Sequence, residues 1–198
     1  MKVTIFDDGA GNVHSLAKVL AGRAEVALER DATALVDTDV VVLPGVGAFD
    51  TAMAHLGDGA PTLTSALDDG LACLAICLGA QLLFDASEEG ERDGLGVLPG
   101  TVRKLPGRRL PHIGWEVVSP VTDEPTLSAS GLTWGYYAHS YACPQNGIHR
   151  VTATSRIEHQ QFPAVLRHNN VLAVQFHPEK SSGPGVAMVH AFLDEVAP

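Results

Sequence analysis

The sequence predicts an α/β fold: an open, largely parallel central sheet with flanking helices and an additional mixed or antiparallel strand layer. Three observations lead there. Strand and helix signals alternate through the first half of the chain, which implies right-handed crossovers and parallel strands. Val40-Val41-Val42-Leu43 is apolar throughout rather than alternating, as in a strand buried on both faces. The second half carries short strand signals separated only by Gly, Pro and Asn turns.

Val3–Phe6 reads as the first strand and runs into the acidic loop Asp7–Gly11. Asn12 can cap a helix whose apolar positions Val13, Leu16, Ala17 and Leu20 recur at helical spacing. Glu25–Leu28 is a second strand, near an edge. Val40–Leu43 is the third, stopped by Pro44-Gly45-Val46-Gly47. Helices are expected over Phe49–Leu56 and Pro61–Asp69, Pro being tolerated in a helix's first turn. Leu71–Ile76 is a further strand and Leu78–Ala86 a further helix. Strands then follow at Val97–Lys104, Trp115–Val118, Thr133–Tyr141, Val151–Ser155, Ala164–Arg167 and Val171–Phe176, with a last helix over Val186–Val196. No repeat, low-complexity tract or long linker interrupts the 198 residues, so one domain over residues 1–198 is expected.

Composition narrows the function. With 13 Lys and Arg against 23 Asp and Glu, the formal charge is −10, which argues against a phosphate-neutralising nucleic-acid face. The apolar run after Met1 is too short for a signal-peptide core or a membrane span. Three cysteines, Cys73, Cys77 and Cys143, cannot all pair, and they lack zinc-site spacing, so neither a disulfide scaffold nor a metal site is expected. A reducing, cytoplasmic setting follows.

Cys77 lies where a strand hands over to a helix, with small residues, Ala75 and Gly79, two positions away on either side. A nucleophile elbow needs that arrangement, because the sharp turn crowds those positions. The turn would expose the sulfur at the carboxyl end of the sheet, beside a helix N-terminus that favours the thiolate. Local sequence alone does not separate this from a buried core cysteine. Cys73 reads as core, and Cys143 has no assigned role. His177-Pro178-Glu179 follows a buried-type strand: a base, a stiffening proline and a carboxylate at an offset that can orient the imidazole. His14, His55, His149, His159, His168 and His190 lack such context. Gly45, Val46 and Gly47 follow another central-type strand and can bring backbone N–H groups to an oxyanion, with the Leu78 N–H as second donor. The same loop lacks the Lys and Ser/Thr of a phosphate-binding loop.

Ala75-Ile76-Cys77-Leu78-Gly79-Ala80-Gln81 together with His177-Pro178-Glu179 resembles the class I glutamine amidotransferases. Leu43–Phe49, Leu110–Trp115, His139-Ser140-Tyr141 and Gln175–Ser181 are similar to the branch formed by the glutaminase subunits of imidazole glycerol phosphate synthases. The likeness spans essentially the whole chain. It implies Cys77 as nucleophile, His177 as general base and acid, and Glu179 as its orienting carboxylate. It further implies Gly45, Val46 and Gly47 as a mobile oxyanion strand, and Gln81, Glu89, His139, Ser140 and Tyr141 around the substrate, L-glutamine. Asn12, Trp115, Tyr136 and Lys180 match the face such subunits turn toward a (β/α)₈-barrel cyclase subunit, with which they form a heterodimer. No cofactor is implied. The chain departs from the family pattern at Ala75, where Gly is common and a methyl should fit. It departs also at Asp8, where an aromatic is frequent, and at Glu116, where Asn is usual.

Other readings compete. The glutaminase subunit of pyridoxal phosphate synthase is similar in length but typically carries a Gly-Gly-Glu-Ser-type oxyanion segment. A non-catalytic, amidotransferase-like regulatory subunit would be expected to lose a member of Cys77, His177 and Glu179. A cysteine peptidase or general amidase would need an open cleft.

Overall fold

A computed structural model describes residues 1–9, 13–107, 110–145 and 150–197. In chain order β1 (Lys2–Phe6) is followed by α1 (Val13–Leu20), β2 (Glu25–Glu29), β3 (Val40–Leu43), α2 (Phe49–Leu56) and α3 (Ala60–Asp68). Next come β4 (Ala72–Ile76), the short α4 (Leu78–Leu82), β5 (Phe84–Ser87), β6 (Leu98–Lys104) and β7 (His112–Val117). The chain continues through β8 (Ser119–Pro120), α5 (Pro125–Ser130), β9 (Trp134–His139) and β10 (Tyr141–Ala142). It closes with β11 (Arg150–Ile157), β12 (Gln160–His168), β13 (Val171–Val174) and α6 (Ser182–Glu195).

Eight strands form the main sheet in the order β2-β1-β3-β4-β13-β12-β11-β8. From β2 to β13 neighbours run parallel; from β13 onward they are antiparallel. Successive side chains of a strand point to opposite faces, and the core divides accordingly. Val40 and Val42 of β3, Leu74 and Ile76 of β4, and Leu172 and Val174 of β13 pack with α1 and α6 on one face. Val41 and Leu43, Cys73 and Ala75, and Val171 and Ala173 pack with α2, α3 and α4 on the other. This two-sided burial explains why the sequence of the central strands is apolar without alternation.

Two smaller sheets attach beyond this frame. β10, β6 and β5 form one; the antiparallel ribbon β7–β9 forms the other. β3, β4 and β13 are parallel neighbours in register, Leu43 beside Ala75 and Val174 beside Ile76. Their carboxyl ends therefore deliver Pro44–Gly47, Cys77 and Gln175–Glu179 to one edge of the sheet.

The elements differ from expectation at several places. The helix expected over Leu78–Ala86 stops at Leu82, and Phe84–Ser87 pairs with β6 instead. The carbonyls of Leu82, Phe84 and Asp85 accept the N–H groups of Leu95, Gly96 and Gly94, so partners roughly ten residues on displace helical bonding. The strand expected over Thr133–Tyr141 breaks at Ser140 into β9 and β10. The last helix starts at Ser182, with Pro184 tolerated in its first turn. Finally, α5 has no counterpart among the expected elements. Its signals are Pro125 at the start and Gly131 in left-handed conformation (φ 64°) just past the end.

Arg167 ties α5 to α6. Its guanidinium meets the fully buried Glu124 carboxylate, and bonds Glu195 Oε2 at 3.0 Å. Among the described residues no helix is long and apolar enough to cross a membrane.

Gly79 stands where a Cβ atom would lie 2.0 Å from the Leu43 carbonyl oxygen. Gly79→Ala is expected to cost about 3 kcal/mol or more, since backbone rather than a flexible side chain must give way. Gly183→Ala, in the first turn of α6 with nothing within 4 Å, should change stability by less than about 1 kcal/mol. Urea unfolding of the two variants checks this contrast.

Candidate active site

Cys77 follows β4 directly and precedes α4, with φ 52° and ψ −105°. A non-glycine residue held at positive φ is a strained position that the surrounding structure must enforce. Enforcement comes from both sides. The Cys77 N–H donates to the Val174 carbonyl at 2.7 Å, and Gly79 packs against Leu43 and Pro44. Gly45 completes the contact, since a Cβ there would lie 2.5 Å from the Gly79 nitrogen and 2.6 Å from that of Leu78. Ala75, the departure from the family pattern, is fully buried and sits in register between Leu43 and Ala173, so its methyl is accommodated. Because α4 is only five residues long, it contributes little of a helix macrodipole to the thiol. Electrostatic support has to come from elsewhere.

His177 provides it. The ring is buried, and its Nδ1–H donates to Glu179 Oε1 at 2.9 Å. Pro178 begins the single 3-10 turn Pro178–Lys180 that brings Glu179 round to the imidazole. Nε2 has no partner in ordinary hydrogen-bond geometry. Desolvation alone pulls the pKa of this imidazole down; the Cys77 sulfur and the Glu179 carboxylate outweigh it, and the net direction is up. That favours the charged imidazolium form of His177 beside the Cys77 sulfur. The backbone is pinned as well: the His177 N–H donates to the Tyr136 carbonyl at 2.8 Å, Ser181 Oγ donates to the His177 carbonyl at 2.6 Å, and the Tyr136 N–H donates to Ser181 Oγ at 2.9 Å.

In front of Cys77 lies a cavity of about 230 Å³, below the roughly 300–1,000 Å³ of drug-sized ligand sites. Gly45, Val46, Gly47, Cys77, Leu78, Gln81, Glu89, His139, Ser140 and Tyr141 line it, joined by Pro111 and Ala138, which sequence reasoning did not single out. Neither His177 nor Glu179 is in its wall. The Tyr141 carbonyl accepts Gln81 Nε2–H at 2.8 Å and His139 Nδ1–H at 2.8 Å. His139 therefore carries its proton on Nδ1 and leaves Nε2 a bare, buried acceptor. Burial lowers its pKa to about 4. Burial also raises the pKa of Glu89, with the neighbouring Asp50 carboxylate adding to the effect. The Phe49 N–H, at the start of α2, opposes this by donating to Glu89 Oε2 at 3.0 Å. Glu89 thus touches the segment that follows Gly47. Among the described residues no three His, Cys, Asp or Glu side chains gather as they would around a metal ion.

One further residue went unnoticed in the sequence except as part of a motif. Gln175 is buried, with its Nε2 3.6 Å from Cys77 Sγ and its Oε1 3.3 Å from Gln81 Nε2.

Residues expected at a partner face fall on the ribbon. Trp115 and Tyr136 are register partners in edge contact, ring centroids 6.0 Å apart. Ile113, Trp115, Val117 and Trp134 are all exposed on that side. Glu116 points the other way, its Oε1 3.8 Å from His112 Nε2. Lys180 ends the 3-10 turn packed on β9. Asn12 lies outside the described residues.

The family description "Glutamine amidotransferase class-I" matches residues 4–196. Solved structures share the fold: PurLQS from Thermotoga maritima superposes with TM-score 0.71 at 16% identity, covering 98% of each chain. A structure described as glutamine amidotransferase superposes with TM-score 0.75 at 20% identity, covering 99% of each. Imidazole glycerol phosphate synthase subunit HisH of Cutibacterium acnes is 39% identical over 100% of this chain and 98% of its own length. The subunit of the same name from Gloeobacter violaceus is 40% identical over 98% of this chain and 90% of its own. The chain belongs to the class I glutamine amidotransferases and, within them, to the HisH family.

His139 makes a pH signature. Its imidazole stays neutral to about 4 in the folded chain against an ordinary 6.5, so the unfolded chain takes the proton first. Stability present above pH 6.5 is lost as pH falls toward 4, roughly 3 kcal/mol in all. His177 has the opposite sign, its contribution fading as pH rises through its elevated folded pKa. Urea unfolding at several pH values between these limits should show a shallower acid loss in His139→Gln than in the parent. Parallel slopes would contradict the assignment.

Proposed function

We propose that this chain, acting as one amidotransferase domain over residues 1–198, is the glutaminase subunit of an imidazole glycerol phosphate synthase. The observation that carries the reading is the buried imidazole, oriented by Glu179, beside a thiol held at a strained elbow and facing a cavity sized for one amino acid. Membership of the HisH family supplies the substrate, L-glutamine, and the partner, a cyclase subunit.

In this mechanism the Cys77 thiolate attacks the side-chain carbonyl carbon of glutamine, and the C–O π electrons move to oxygen. Backbone N–H groups of the Gly45–Gly47 strand and of Leu78 receive the oxyanion. As the intermediate collapses, the C–N bond breaks and His177 gives its proton to the departing nitrogen, leaving ammonia and a γ-glutamyl thioester. His177, now neutral, takes a proton from water as the water oxygen adds to the thioester carbonyl. The C–S bond then breaks, releasing glutamate and restoring the thiolate. Glu179 stabilises the imidazolium at each stage. Gln81, Glu89 and the His139–Tyr141 segment hold the amino-acid end of the substrate. Glu89 also bonds the start of α2, which links substrate binding to the strand that must present its N–H groups.

Ammonia freed into neutral water becomes mostly ammonium and loses its nucleophilicity. Direct transfer to a partner avoids this. The ribbon face of Ile113, Trp115, Val117, Trp134 and Tyr136, with Lys180 beside it, is the surface we assign to the cyclase in a cytoplasmic heterodimer.

Cys77→Ser is expected to lower glutamine-dependent turnover by roughly 10³-fold or more, with ammonium-dependent synthesis by the complex retained. Persistent glutamine-dependent turnover would overturn the assignment of the nucleophile. Trp115→Asp should weaken association with the cyclase subunit at least about tenfold, as read by titration calorimetry, while leaving the fold intact.

A further inference from the structure

We propose that Gln175 is a working part of this site: its side-chain amide donates a hydrogen bond to the Cys77 sulfur and holds the nucleophile as an aimed thiolate. The proposal rests on the reading of Cys77 as nucleophile and adds a residue that the triad does not contain.

Donor and acceptor bookkeeping carries the inference. A backbone carbonyl can only accept, so the Gln81 side-chain atom 2.8 Å from the Tyr141 oxygen must be its NH₂ group. That same NH₂ lies 3.3 Å from the Gln175 amide, and an NH₂ cannot accept, so Gln175 must present its oxygen there. Its own NH₂ is thereby turned to the Cys77 sulfur, 3.6 Å away and within the reach of an N–H···S contact. The orientation of Gln175 is thus set by a main-chain group two links distant. Tyr141 itself is fixed by a second donor, His139 Nδ1–H at 2.8 Å.

The surroundings make the contact consequential. Gln175 is 2% exposed and Cys77 4%, so solvent does not compete for the bond. Another polar neighbour of the sulfur is the Ala138 carbonyl at 4.0 Å, which can accept from a thiol but repels a thiolate. Gln175 thus offers the sulfur a donor suited to its anionic form, with the His177 imidazole as a further neighbour. β13 carries both, since Gln175 and His177 follow closely on its last residue, Val174. A chain from Tyr141 in the cavity wall through Gln81 to Gln175 also connects the substrate pocket to the sulfur.

Alkylation by iodoacetamide, followed across pH in the absence of glutamine, reads the thiolate directly. Gln175→Leu, which keeps bulk and removes the donor, should move the alkylation midpoint upward by about one pH unit and lower kcat more than it changes KM. Gln81→Leu, which does not touch the sulfur through its side chain, should move the midpoint the same way by less. Should Gln175→Leu abolish folding, Gln175→Glu preserves shape and puts a carboxylate where the donor stood, again raising the midpoint. An unmoved midpoint in the folded Gln175 variants overturns the proposal. Loss of glutamine turnover when Cys77 alone is alkylated in the parent keeps the nucleophile assignment separate: it stands or falls on that result, whatever Gln175 does.

Discussion

Two backbones meet without side chains between them where Gly79 of α4 abuts the Leu43 carbonyl and Gly45 abuts Leu78 and Gly79. Much of the site depends on this contact. It lets α4 begin immediately after β4 instead of after a loop, and that forces Cys77 into its left-handed turn. It brings the Pro44–Gly47 segment against the start of α4, so that Gly45, Gly47, Leu78 and Cys77 line a common cavity. A Cβ at either glycine would push these layers apart.

A second bracket ties chemistry to surface. The His177 N–H, the Tyr136 carbonyl, the Tyr136 N–H and Ser181 Oγ form a closed set of hydrogen bonds, completed by Ser181 Oγ on the His177 carbonyl. Tyr136 has its side chain on the outer face of the ribbon, in contact with Trp115. The main chain of one residue therefore belongs both to the support of the imidazole and to the exposed face. Displacing the ribbon displaces the His177 main chain. Anything pressing on Trp115 and Tyr136 has a mechanical route to His177 only one residue long.

Legibility from sequence followed the range of the interactions. Val40–Leu43 and Leu71–Ile76 announced themselves because burial on both faces demands unbroken apolar runs, and Cys77 stood out because an elbow needs small neighbours. His177 and Glu179 were legible as a short-range pair. Long-range effects were not. Nothing local in Leu78–Ala86 says that Leu95 and Gly96 will take the carbonyls that a helix needs, so the helix ends early. The side-chain bond from Gln175 to Cys77 joins residues 98 apart in sequence, and only the parallel pairing of β13 with β4 brings them together. The short helix α5 was written in Pro125 and Gly131, but six residues carry too little periodicity to be seen without those punctuation marks being read as caps.

The ribbon has a cost for the chain when it stands alone. Two tryptophans, an isoleucine and a valine point outward from one strand pair, a surface that would bury itself against a second copy as readily as against a correct partner. What opposes that is carried by the rest of the molecule. A formal charge of −10 over 198 residues makes every copy repel every other at a distance beyond the reach of the apolar face. Acidity that says nothing about catalysis thus acts as a colloidal guard on an exposed apolar face, and one whose range shrinks with added salt.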